Sequence, residues 1–244
     1  MVSAGKIDFG TVSADELVIA RSKGQDIVAL FATFQKNPHA FMAHPERGFK
    51  SIGDIYKADG TIALQTGQPY AIYLKKKYDP VKAKLVPYTG GITNFLADKK
   101  HSQQCFFAAE PLVAQQKGLK PTVFLVADEG YNPYTTVLVT RGEVLKKNPK
   151  LVKGLVDSVR AGWREYLDKP QAANKKMSEL NKSMELAIME KGAETQKPLI
   201  ETADTAKSGL GSMTVERWSQ LADQLMDLKL ITKKPAAEQM FTNL

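Results

Sequence analysis

The side chains best suited to recognising a small molecule recur at one kind of place in this 244-residue chain, between a β-like run and a helical one. Ser13 and Asp15 follow KIDFGT, Gln35 follows DIVALFATF, Thr66, Gln68 and Tyr70 follow TIALQ, Tyr88 ends KLVPY, and Glu110 follows SQQCFFA. In open parallel α/β sheets such positions lie beyond the carboxyl ends of the strands, where helix N-termini direct free N–H groups outward. Gly67 lets backbone approach a ligand, and Gln68 offers both a donor and an acceptor. Glu110 opens EPLVAQQKG with Pro111 suited to a first helical turn. Its carboxylate has two readings. One is stabilisation of the helix dipole, about 0.3–1 kcal/mol, and the other is contact with a ligand that donates hydrogen bonds or carries positive charge. Tyr131 and Asn132 precede Pro133, which favours extended backbone, and an aromatic face there suits a planar ring.

Bond-making chemistry finds less support. His39, His44 and His101 are the only histidines, and none has a helical partner or a carboxylate at metal-ligand spacing, so no metal site is expected. Cys105 is the single cysteine, which excludes an intramolecular disulfide or a thiolate cluster. Its apolar setting, QQCFFA, fits a buried thiol better than a nucleophile with a positioned base. The chain therefore reads as a binding module and not an enzyme, with no cofactor.

Strand-like and helix-like runs alternate from the start, which predicts an α/β fold with largely parallel sheets. After YTTVLVTR nearly everything reads as helix, with Leu145, Leu151, Leu155, Val159, Trp163 and Tyr166 as one apolar stripe. The charge of +8 could indicate nucleic acid or an anionic membrane. Lys75–Lys77, Lys99–Lys100, Lys146–Lys147 and Lys175–Lys176 lie far apart, however, without the interleaved aromatics of a stacking groove. They read as solvated surface, so no nucleic-acid partner is expected. No apolar run approaches the roughly 18 residues of a membrane span, and the opening MVSAGKIDFG contains no hydrophobic signal core.

The runs from GKIDFG to HAFM, GFKSIGDIYKADGTIALQ, CFFAAEPLVAQQKG and GYNPYTTVLVTRGEVLKKNP, in this order and spacing, resemble a family of periplasmic solute-binding proteins of ABC importers. That family includes binders of thiamine precursors, riboflavin, sulfonates, taurine and nitrate. The resemblance implies a two-lobed fold of type II, joined by two hinge crossovers and holding its ligand between the lobes. Residues 1–45 and 131–244 would form the first lobe with a helical tail, and residues 46–130 the second, with crossovers near HAFMAH and ADEGYNPYTT. It further implies a small-molecule ligand, ABC permease subunits as partners, membrane contact only through them, and an extracytoplasmic location. An acidic residue followed by Pro often faces the cleft in this family, which favours the ligand-contact reading of Glu110. Family members also carry two strand–helix pairs, about sixty residues, ahead of the GKIDFG equivalent. The first lobe is thus expected to be incomplete, with sheet edge and apolar surface uncovered beside KIDFGT and DIVALFA.

Glu110 with Tyr70, Tyr131 and Asn132 suits a neutral or cationic nitrogen heterocycle, such as a thiamine precursor, better than an anion, with a sulfonate as the other ligand class that the resemblance implies. Two other classes stay open: a pyrimidine-synthase-like enzyme of thiamine biosynthesis on the same fold, whose cysteine-rich segment this chain lacks, and a ligand-sensing regulatory domain.

Overall fold

The computed structural model describes residues 1–182 and 185–244. The first half of the chain contains β1 (Phe9–Val12), α1 (Ala14–Ser22), β2 (Ile27–Phe34), β3 (His39–Ala43), α2 (Ile52–Lys57), β4 (Thr61–Leu64), α3 (Pro69–Lys77), β5 (Lys84–Pro87), α4 (Thr93–Ala97), β6 (His101–Phe106), α5 (Glu110–Gln116) and β7 (Thr122–Leu125). Then follow β8 (Thr135–Arg141), α6 (Gly142–Lys147), α7 (Pro149–Asp168), α8 (Gln171–Leu180), α9 (Leu186–Ile200), α10 (Ala203–Ser208) and α11 (Val215–Asp227). The chain is α/β, as its alternation implied. It divides into two compact units, the first comprising Met1–Asn37, Asn132–Pro170 and Lys197–Leu244, and the second Pro38–Tyr131 and Gln171–Gln196.

The first unit is built on a three-stranded sheet ordered β1-β8-β2. Local alternation suggested parallel pairing, but β8 runs antiparallel to both neighbours, with Phe9 opposite Thr140 and Ile27 opposite Arg141. The pairing partners of β8 lie about a hundred residues upstream, so local pattern could not report their direction. Leu30, Phe31 and Leu138 pack with Val144, Val152 and Val156, and with the partly buried Leu155, Val159 and Trp163. The expected stripe is corrected at Leu151, which is 57% exposed. The helix breaks at Asn148 and restarts at Pro149, which resets its phase and turns Val152 and Val156 inward instead.

The expected uncovered edge beside DIVALFA is also corrected. On the side away from β8, the backbone of β2 and of Gln35 just after it is bonded by three C-terminal segments. Ala29 N–H donates to Met240 O at 2.8 Å, Ala32 N–H to Gly211 O at 3.0 Å and Gln35 N–H to Leu199 O at 2.9 Å. Thr242 N–H returns a bond to Ala29 O at 2.9 Å. These contacts satisfy groups that would otherwise template association. Gly211 makes one of them possible, because it has φ +82° and a Cβ placed on it would meet Phe31 Cδ2 at 2.1 Å.

The second unit holds a five-stranded sheet ordered β5-β4-β6-β3-β7. Here the expected parallel pairing exists between β4 and both β5 and β6. The chain passes between units just before HAFMA and again at Tyr131–Asn132, near the two expected crossovers, but HAFMA itself is β3, paired antiparallel with β6 on one side and β7 on the other. With both edges bonded it belongs inside this sheet, so the division falls between Asn37 and Pro38 and not at residue 45. Residues 171–196, expected with the first lobe's tail, cluster with the second unit. Gln116 Nε2 donates to Glu185 Oε2 at 2.8 Å, and Gly192 fits close to Ala108 O, where a Cβ would approach to 3.2 Å.

The close approach of Gly211 to Phe31 yields a paired stability test. Gly211→Ala combines left-handed strain with a direct clash and should cost about 3 kcal/mol or more. Gly24→Ala, at φ +84° with open space around its Cβ, should cost only about 1–2 kcal/mol. Urea unfolding of both variants compares them, and equal losses would remove the Phe31 contact as the cause.

Candidate functional site

In the second unit the parallel trio β5-β4-β6 sends its three carboxyl ends in one direction. The loops that follow lead into α4, α3 and α5, and these strand ends and helix starts carry half of the ten residues singled out from the sequence, Thr66, Gln68, Tyr70, Tyr88 and Glu110. Glu110 is half-buried at the first position of α5, with Pro111 behind it. Its Oε1 accepts from the Tyr88 hydroxyl at 2.8 Å and its Oε2 from the Phe106 N–H at 2.8 Å. Burial, reinforced by the bond to Glu110, raises the Tyr88 pKa, which keeps its proton in place as a donor. Two of the expected residues, Tyr88 and Glu110, are therefore in direct contact. Thr66 and Gln68 are exposed in the loop before α3, where Gln68 occupies the N-cap position without a side-chain capping bond.

Phe106 was not singled out from the sequence. Its ring is 42% exposed although it ends an otherwise buried strand. His39 lies against it at 4.7 Å between ring centroids and stacks on Tyr70 at 5.0 Å with an interplanar angle of 23°. Tyr70 is buried, its hydroxyl bonded to Gln104 Oε1 and its pKa pushed up to about 12 by burial. Tyr70 thus supports the aromatic stack from inside instead of offering itself to solvent. Tyr131 behaves alike, being 1% exposed with its ring 5.2 Å from that of Tyr73. Packing of these rings overrides the surface role expected for both tyrosines. Cys105 is buried as QQCFFA implied, and burial raises its thiol pKa, which suppresses the thiolate.

The first unit places the remaining four residues at the N-terminus of α1 and around Arg217. The Glu16 carboxylate accepts from both the N–H and the hydroxyl of Ser13, at 3.0 Å each, and the Ser13 hydroxyl also lies against Asp15. This is capping chemistry, and it occupies the Ser13 side chain. Gln35 is buried, and its amide donates to Ala32 O and Ser212 O at 3.1 Å each. Its function is to tie the end of β2 to the loop before α11, a structural use that the sequence did not signal. Asn132 Oδ1 accepts from Asn37 N–H at 2.8 Å, and Asn37 Nδ2 donates to Pro133 O at 3.1 Å.

Arg217, which the sequence marked only as part of the helical C-terminal stretch, organises this cluster. Its guanidinium lies 3.7 Å from the Tyr134 ring centre and donates to Asn132 O at 2.9 Å and to Gln35 Oε1 at 3.4 Å. Burial lowers its pKa, and among the described residues it has no ion pair. A cation–π contact and neutral acceptors hold the charge instead. The described residues contain no group of three His, Cys, Asp or Glu able to hold a metal, and no helix long and apolar enough to cross a membrane.

The comparisons with known proteins agree with this architecture. The chain is 22% identical over 245 aligned residues to the riboflavin-binding protein RibY of Chloroflexus aurantiacus, covering 97% of this chain and 70% of that protein. Its fold is similar to that of the periplasmic aliphatic sulphonate binding protein SsuA from Escherichia coli, with a TM-score of 0.74, 13% identity, and coverage of 100% of this chain and 79% of the other. The desulfurization enzyme DSZB shares the fold with a TM-score of 0.63 and 11% identity, over 96% of this chain and 82% of its own. A family model described as NMT1/THI5 like matches residues 1–173, and by that match, which takes in both sheets, this chain belongs to the NMT1/THI5-like family.

Proposed function

We propose that this chain is the solute-binding component of an ABC importer, working outside the cytoplasm and delivering a small organic molecule to permease subunits. The single observation that carries the ligand class is the Glu110 carboxylate, fixed by Tyr88 and by the backbone of Phe106 at the same strand end as an exposed aromatic ring. A carboxylate held by neutral donors accepts hydrogen bonds from a ligand, and an aromatic face accepts a flat ring. Together they suit a planar nitrogen heterocycle with N–H donors, neutral or cationic. Thr66 and Gln68, exposed in the adjoining loop, supply further donors and acceptors. The reading is consistent with the riboflavin named for RibY and with the heterocyclic precursors of thiamine. It disfavours a sulfonate at this spot, because a second anion beside Glu110 would be repelled.

Binding without bond cleavage is the reading that the residues support. The buried Cys105 lacks thiolate character, and the Tyr88 hydroxyl keeps its proton in its bond to Glu110. DSZB shows that the fold accommodates catalysis, so the enzyme reading is tested alongside: incubation with a bound heterocycle should return it chemically unchanged by mass spectrometry.

Two substitutions test the ligand class. A thermal-shift screen of aminopyrimidines, flavins, alkanesulfonates and amines should find stabilisation in the heterocycle group. Glu110→Gln keeps the shape but removes a charge-assisted bond worth about 1.5–3 kcal/mol, so affinity for that heterocycle should fall by roughly 10- to 150-fold by calorimetry. Phe106→Ala removes a stacking contact of about 0.5–1.5 kcal/mol, a loss of roughly two- to tenfold. Tight alkanesulfonate binding that ignores Glu110→Gln would sink the proposal.

A further inference from the structure

Beneath the loop between β5 and α4, the second unit forms a polar, partly open cavity of 160 Å³. Tyr88, Gly91, Thr93, Asn94, His101 and Gln103 form its walls, and no Asp, Glu, Lys or Arg lines it. Gly90 and Gly91, at φ +90° and +68°, arch the loop over the sheet, with open space where their side chains would be. Gln103 Nε2 donates to Gly91 O at 2.9 Å and pins the arch down. His101 is only 6% exposed, and its imidazole makes no hydrogen bond among the described residues. Burial lowers its pKa, which favours the neutral ring with its one donor and one acceptor.

The volume equals that of about five waters in the liquid, room for a short chain of a few polar atoms. An anion there would lose its hydration with no fixed cation to replace it, and a cation would find no carboxylate. Hydroxyl and amide groups, by contrast, match the mixed donors and acceptors of Thr93, Asn94, His101 and Gln103. Tyr88 is shared, since it lines this cavity while its hydroxyl rests on Glu110. We infer that the cavity is a second subsite, which takes an uncharged hydroxyl- or amide-bearing substituent of the solute whose ring is held at Glu110 and Phe106. The inference extends the solute-binding reading and is tested separately from it.

Fragment titrations followed by amide NMR on the full chain make that separation. Ribitol and glycerol, as neutral hydroxyl probes, should saturably shift the Gly90, Gly91 and Asn94 amides, whereas methanesulfonate should not. Thr93→Val, at an exposed position that should not disturb folding, and His101→Phe should each weaken the ribitol effect about fivefold or more. An aminopyrimidine should shift Phe106 and Glu110 in the wild type and in both variants alike, so its failure speaks against the ring site alone. Shifts caused by methanesulfonate, no saturable shift by either polyol, as from a cavity holding water only, or polyol shifts that persist in both variants would each overturn the subsite.

Discussion

The carboxylate of Glu110 is held from two directions, by the Tyr88 hydroxyl and by the Phe106 N–H, each at 2.8 Å. This arrangement requires β5 and β6 to end on the same side of the sheet, which follows from their common parallel pairing with β4. Were β6 antiparallel to β4, Phe106 and Tyr88 would lie at opposite ends of the unit. Parallel pairing in turn needs helical crossovers, and α3 and α4 supply them. The candidate site is therefore a product of topology, with hydrogen bonding fixing the details.

The two units solve the problem of sheet edges differently. In the second, β3 is inserted between β6 and β7 with both its edges bonded. In the first, a sheet of three antiparallel strands depends on distant parts of the chain, since Gly211 and Met240 accept hydrogen bonds from β2 and Leu199 accepts from Gln35 just beyond it. The helical C-terminal third is thus more than a tail, because its connecting loops complete the backbone bonding of β2. Close approach at Gly211 and the Arg217 network around Gln35 and Asn132 belong to the same fastening.

Most helices and strands were legible in the sequence because their signals are local. Ser13 and Thr214 precede α1 and α11 as cap residues, and the apolar run of β2 is buried as its composition implies, whereas β6 buries His101, Ser102, Gln103 and Gln104 against expectation from composition. Pairing direction at β8 and the allegiance of HAFMA were not legible, because both depend on partners far away in the chain. Residues 171–196 changed unit for the same reason. Within the site, the strand-end positions of Glu110 and Tyr88 were legible, and the hydrogen bond between them was not. The exposure of Phe106 was not legible either, since its neighbours in QQCFFA are apolar and only the strand's end position leaves the ring open. Tyr70, Tyr131 and Gln35 showed the reverse error. Their polar groups suggested an open surface, while interior partners claim them.

The central claim is that Glu110 and Phe106 recognise a planar, hydrogen-bond-donating ring. A crystal structure of the chain soaked with an aminopyrimidine tests it most directly. The account predicts the ring lying on Phe106, with a donor about 3 Å from a Glu110 carboxylate oxygen. Ring density elsewhere on the chain, with Glu110 still bonded only to Tyr88 and the Phe106 backbone, would contradict it.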